Sequence, residues 1–127
     1  MQTRILGNFT PSQFNKAVIT REIIAFVESH GLVVQSKNID VRSPRDIKGL
    51  LRRNDDVVEW HHDGEASGGV FAIWSNKFPT EIDPPVGNSD GDVVLIYNSE
   101  VRHRMPQEYE GRWFARCQRL EEKWAKK

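Results

Sequence analysis

Apolar residues recur first at helical spacing and then in alternation. Ile19, Ile23, Ile24 and Val27 repeat every three to four positions, the period of one helix face. Thr10-Pro11-Ser12-Gln13 supplies an N-cap residue, a proline at the first helical position and a glutamine three residues after the threonine. A helix is therefore predicted from about Pro11, or at least from Val18, through Ser29. His30-Gly31 ends it, glycine being favoured just past a helix, and Leu32-Val33-Val34 follows as a short buried strand. That order packs an N-terminal helix onto a sheet. Ser43-Pro44-Arg45-Asp46 repeats the pattern of a helix start, and Ile47, Leu50 and Leu51 line one face of a short basic helix closed by Asn54-Asp55-Asp56.

From there the pattern turns to β. Val57 to His61, Val70 to Trp74 and Val93 to Tyr97 read as strands. Arg112 to Leu120 alternates, with Trp113, Ala115 and Cys117 on one face and Arg112, Phe114 and Arg116 on the other. Gly64, Gly68-Gly69, Pro84-Pro85, Gly87, Gly91 and Gly111 punctuate these segments as turns, and Glu121 to Lys127 is a charged tail, helical or frayed. The class is mainly β (α+β): N-terminal helices packed on short strands that suit a barrel-like or jelly-roll core.

Bulk properties narrow the function classes. The 127 residues fit one domain, 1–127, with one core. Lys plus Arg and Asp plus Glu each number 18, which argues against a dedicated nucleic-acid binder. No apolar run is long enough to span a bilayer, and the start has no export signal core. One cysteine, Cys117, excludes an internal disulfide and Cys-based zinc sites. A cytoplasmic setting is expected.

The chemistry concentrates in Trp60-His61-His62-Asp63-Gly64 and in His103. On a strand His61 and Asp63 project to one face while His62 points away. With His103 from elsewhere in the sheet they make a 2-His-1-carboxylate set, which suits Fe(II) and leaves one side of the metal open. A zinc hydrolase with the same three ligands, or a surface cluster without a metal, also accommodates these residues.

The surroundings carry a resemblance. Gly91-Asp92, the apolar strand Val93 to Tyr97, Asn98, and Val101-Arg102-His103 resemble the distal segment of Fe(II)/2-oxoglutarate-dependent dioxygenases. The nearest group is the taurine dioxygenase-like, or clavaminate synthase-like, enzymes. Gly111-Arg112 follows nine positions after His103, and Arg116 four further on. Trp60-His61-x-Asp63-Gly64 is similar to the family's first-ligand segment, and Gly31 to Val34 to its entry into the sheet. The resemblance covers roughly residues 30 to 120 and implies a double-stranded β-helix (jelly-roll, cupin-like). It implies Fe(II) held by His61, Asp63 and His103, and 2-oxoglutarate as cosubstrate, its distal carboxylate paired with Arg112. Thr80 then takes the place of a threonine on the same carboxylate, and Arg116 that of an arginine meeting an anionic substrate group or the cosubstrate.

The implied activity is oxidation of a small-molecule substrate, for which Arg102, Arg104 and Arg116 suggest an anionic group, with release of succinate and CO2. Forty residues from Asp63 to His103 leave no room for the long substrate-covering insertion of the family. A pared-down enzyme, a pocket completed by a second subunit such as a homodimer partner, and a binding module without turnover all fit that shortening. Neither nucleic acid nor membrane is expected as a partner.

Overall fold

A computed structural model describes residues 3–53, 58–61, 69–97 and 100–122, the side chains of Arg53 and Glu122 apart. In chain order the elements are β1 (Arg4–Asn8), α1 (Lys16–Glu28), β2 (Leu32–Val33), a 3-10 turn at Ser36–Asn38, β3 (Ile39–Arg42), α2 (Pro44–Arg53) and β4 (Val70–Ser75). Then come β5 (Glu81–Asp83), β6 (Asp92–Tyr97), β7 (Arg102–Arg104), β8 (Phe114–Cys117) and β9 (Glu121–Glu122). Five strands form a sheet in the order β1-β6-β4-β8-β3, while β2 pairs with β9 and β5 with β7. Every pairing is antiparallel. The chain is thus mostly β with two helices, as the α+β expectation holds. Among the described residues no helix is long and apolar enough to cross a membrane.

Alternation along the strands splits the core between the two faces of the large sheet. Ala72 and Trp74 of β4, Val93 and Leu95 of β6, and Ala115 and Cys117 of β8 pack with Ile19, Ile23 and Val27 of α1. The residues between them, Phe71, Ile73, Val94 and Ile96, pack instead with Ile82 of β5 and Val101. One face is closed by a helix and the other by the β5–β7 pair. Trp74 ties the first layer to the chain start, its indole N–H donating to the Phe9 carbonyl at 2.9 Å.

The path between the sheets positions the site. From β3 in the large sheet the chain reaches His61, which bridges to His103 on β7. It returns to the large sheet as β4, crosses to β5, returns as β6, crosses to β7 and returns as β8. The pairings are nested: β3 with β8, His61 with β7, β4 with β6, all around β5.

Several expectations need correction. Helix α1 starts at Lys16, not Pro11: Asn15 is the N-cap, its Oδ1 accepting from Val18 N–H at 2.9 Å. The Ser12 N–H and hydroxyl are captured by the Glu22 carboxylate, which keeps that segment out of the helix. Val58 to Trp60 do not form a strand, and Val57 lies outside the described residues. The Glu59 carbonyl turns to the His61 ring instead of a neighbouring strand. The strand predicted over Arg112 to Leu120 is only Phe114–Cys117, since a side chain of the β4–β5 loop binds the Trp113 peptide and Arg119 takes a φ of 56°. The tail begins as a strand, β9. Strands β1, β3, β5 and β7 had no expectation at all; they are short or lie at sheet edges, where apolar alternation is weak.

Helix α2 follows the sequence pattern closely. The Ser43 Oγ accepts from Asp46 N–H at 3.2 Å and the Asp46 carboxylate accepts from Ser43 N–H at 3.0 Å, a reciprocal cap. Lys16 of α1 reaches the same carboxylate at 2.6 Å. Ile47 on the inner face of α2 is buried.

Candidate functional site

His61 and His103 face each other across a two-residue antiparallel bridge. Each donates its backbone N–H to the other's carbonyl, at 3.0 and 2.9 Å, so their side chains must emerge on the same side. The ring centroids lie 4.4 Å apart with 62° between the planes. The Nδ1 of His61 is 2.7 Å from the Glu59 carbonyl. A carbonyl only accepts, so Nδ1 is the donor, which in a neutral ring leaves the lone pair on Nε2. His103 is buried, its ring edge-on to Phe71.

Behind the bridge, Trp60 is stacked under guanidinium groups from both sides of His103. Arg104 sits 4.3 Å and Arg102 5.6 Å from its ring centroid. Those arginines in turn pair with Glu81 and Asp83 on the neighbouring β5. Trp60 is therefore a brace for the His61 backbone and not a core aromatic, whereas Phe71 and Trp74 are buried and Trp113 packs against the α1-side core.

Arg112 is only 2% exposed. Its Nε–H donates to the Phe78 carbonyl at 2.7 Å, Nη2 donates to Thr80 Oγ1 at 2.8 Å, and the guanidinium lies over the Phe114 ring. No carboxylate among the described residues pairs with it. Burial pushes its pKa down to about 10, so the group is still a cation at neutral pH. A buried cation without an anion is costly, and the arrangement therefore favours a bound one.

Both histidines and Arg112 line one cavity of ≈ 70 Å³, together with Thr80, Arg116 and Arg104. Arg42 of β3, Ile47 and Leu50 of α2, Met105 and Phe114 complete the wall. The space holds about five waters, the scale of a small organic acid and well short of a nucleotide. Four arginines and no carboxylate line it among the described residues. Arg42 is neutralised by Asp40 at 2.9 Å and Arg104 by Glu81 at 2.7 Å; among the described residues Arg112 has no such carboxylate partner.

The structure thus brings five of the six residues singled out in the sequence, His61, His103, Thr80, Arg112 and Arg116, around one cavity. Asp63 lies outside the described residues, as does His62. Among the described residues no third carboxylate, thiolate or imidazole joins the histidine pair. Sequence reasoning missed the α2 wall, Arg42, and the loop residues Asn76 and Phe78 that hold Arg112. Alternation on β3 was the one signal available for Arg42, and the loop residues carried none.

The ring centroids of the pair lie 4.4 Å apart in an edge arrangement, a spacing that an ordinary aromatic contact gives and that also leaves both rings near enough to reach one ion. With a carboxylate such as Asp63, which lies outside the described residues, such a pair would make a donor set that suits Fe(II). The chain matches no known family model, no curated protein and no solved structure.

Proposed function

We propose that this chain is an Fe(II)- and 2-oxoglutarate-dependent dioxygenase that oxidises a small-molecule substrate, on a double-stranded β-helix. One observation carries the reading: a histidine pair with ring centroids 4.4 Å apart opens into the same small cavity as a buried arginine that has no carboxylate partner among the described residues. The fold assignment is supported by the alternation of successive segments between two sheets and by their nested pairing, which is how a long antiparallel hairpin rolls into a jelly roll.

In this reading His61, Asp63 and His103 would hold the ferrous ion. When bound, the iron and the keto acid supply the oxidising chemistry, with succinate and CO2 as coproducts. The chain's own residues supply geometry. The Glu59 carbonyl fixes the His61 tautomer with Nε2 as the ligand atom, and Phe71 holds the His103 ring edge-on. Arg112 and Thr80 anchor the distal carboxylate of 2-oxoglutarate through charge-assisted hydrogen bonds. Phe114, Ile47, Leu50 and Met105 keep bulk water from the cavity. With its lone pair on the metal neither histidine serves as a general base.

The test is succinate formation from 2-oxoglutarate by protein reconstituted with Fe(II), with and without candidate substrates. Succinate that depends on His103 supports the reading. Metal binding without any response to 2-oxoglutarate assigns the site to a zinc-type hydrolase instead, and binding of the keto acid without turnover assigns it to a ligand-binding module.

A further inference from the structure

The arginine that marks the cavity is held by the loop between β4 and β5. We infer that Asn76 and Phe78, in the loop between β4 and β5, are positioning residues that aim the Arg112 guanidinium so that an anion docks end-on, on its Nη1/Nη2 edge. This rests on the 2-oxoglutarate reading for the identity of the anion, not for the geometry of the clamp.

Three observations carry it. Asn76 bridges the peptides on either side of Arg112: its Nδ2 donates to the Gly111 carbonyl at 3.3 Å and its Oδ1 accepts from Trp113 N–H at 2.6 Å. The Asn76 N–H also donates to the Trp113 carbonyl. Second, Phe78 has a φ of 54°, a left-handed backbone that is costly for a bulky residue. That conformation turns its carbonyl onto Arg112 Nε at 2.7 Å, while its own N–H donates to the Asp90 carboxylate at 3.2 Å. Third, Gly111 has a φ of 73°, a backbone that glycine adopts without the strain a side chain would bring there.

The consequence is a matter of which donors remain. A guanidinium can grip a carboxylate along its Nε/Nη2 edge or along its Nη1/Nη2 edge. Here the Nε proton is taken by Phe78 and one Nη2 proton by Thr80. No acceptor among the described residues occupies Nη1, and the side chain lines the cavity. The end-on edge is the one presented. A ligand with a second carboxylate gains two parallel hydrogen bonds there, and one without it gains none. The clamp thereby sets the preference for a dicarboxylic over a monocarboxylic keto acid.

The experiment compares wild type with Asn76→Asp, Asn76→Ala, Phe78→Gly and Phe78→Val, each checked for native near-UV circular dichroism. Two readouts are taken: hydrogen exchange at Arg112 Nε–H by NMR, and the affinities for 2-oxoglutarate and 2-oxovalerate under anaerobic Fe(II). Phe78→Gly keeps the carbonyl and accepts the left-handed backbone, so its Nε–H exchange stays closer to wild type than that of Phe78→Val. Asn76→Ala and Phe78→Val speed Nε–H exchange at least tenfold and weaken 2-oxoglutarate tenfold or more, leaving 2-oxovalerate unchanged. Asn76→Asp, which retains only the bond to Trp113, falls between. Equal loss for both keto acids, or unchanged Nε–H exchange in Asn76→Ala and Phe78→Val, overturns the clamp. If wild type binds the two keto acids equally while exchange responds as stated, the clamp stands and the 2-oxoglutarate reading fails.

Discussion

His61 and His103 are joined twice, by reciprocal backbone hydrogen bonds of 3.0 and 2.9 Å and by rings 4.4 Å apart. The backbone bridge sets the spacing of the two imidazoles before any ligand arrives, so a metal binding there meets preorganised nitrogens. His61→Ala and His103→Ala should each reduce Fe(II) or Mn(II) affinity beyond the roughly 10- to 100-fold that loss of an outer partner causes. Isothermal titration calorimetry on both variants measures this. Retention of wild-type affinity in either one removes the metal site from consideration.

Arg112 trades stability for binding. Arg112→Met removes a buried cation that has no carboxylate partner among the described residues, which relieves a desolvation cost, but it leaves the Phe78 carbonyl and Thr80 Oγ1 without their donor, a loss of about 1–3 kcal/mol. Arg112→Met is therefore expected to unfold within about 3 kcal/mol of wild type, while losing the response of its melting temperature to 2-oxoglutarate. Wild type should melt higher as the keto acid is added. A strongly destabilised Arg112→Met would mean that the arginine is structural.

The cap of α2 gives a pH signature. The Lys16 ammonium and the Ser43 N–H hold the Asp46 carboxyl down from 3.8 to about 2. Because the folded value is depressed, the stabilisation is complete above the unfolded value and is lost as pH falls from 3.8 through about 2. The side chain is 37% exposed, so solvent screening reduces the ion-pair share to below about 1 kcal/mol. Asp46→Asn should cost about 1 kcal/mol at pH 7, mostly through the cap, and the difference should shrink below pH 4. Urea unfolding of both proteins between pH 2 and 7 provides the comparison; a gap that stays constant with pH contradicts the assignment.

Cys117 reports on opening of the core. It is fully buried on β8 and burial pushes its thiol up to about 12, which leaves almost no thiolate at neutral pH. A disulfide reagent should label it only through unfolding, at a rate that rises with denaturant. Rapid labelling of the native protein at pH 8 would place the thiol outside the core. Because the folded value is raised above 9.0, the associated stabilisation is present below pH 9 and fades as pH rises toward 12.

The strongly periodic parts of the sequence were legible, and the edges were not. The Ile19-Ile23-Val27 face of α1, the Ser43–Asp46 cap, and the opposed faces of β4, β6 and β8 follow from spacing alone, because each buries a full row of side chains. Strand β7 is three residues long, with His103 inward between two arginines, so its apolar pattern is a single position. The same holds for β5 around Ile82. At the site, His61 and His103 were identified from their residue types, but that they share a bridge was not, because register is a long-range property. Arg112 was placed by resemblance; its dependence on Asn76 and Phe78 left no trace in local spacing.

The nested pairing has a consequence for how the protein emerges during synthesis. Arg42 on β3 and Arg116 on β8 stand on adjacent strands, yet translation separates them by seventy-four residues. No growing fragment that stops short of β8 encloses the cavity, and closing so large a loop is entropically slow. A nascent chain on the ribosome stays blind to any small acid until its final sheet strands have left the exit tunnel.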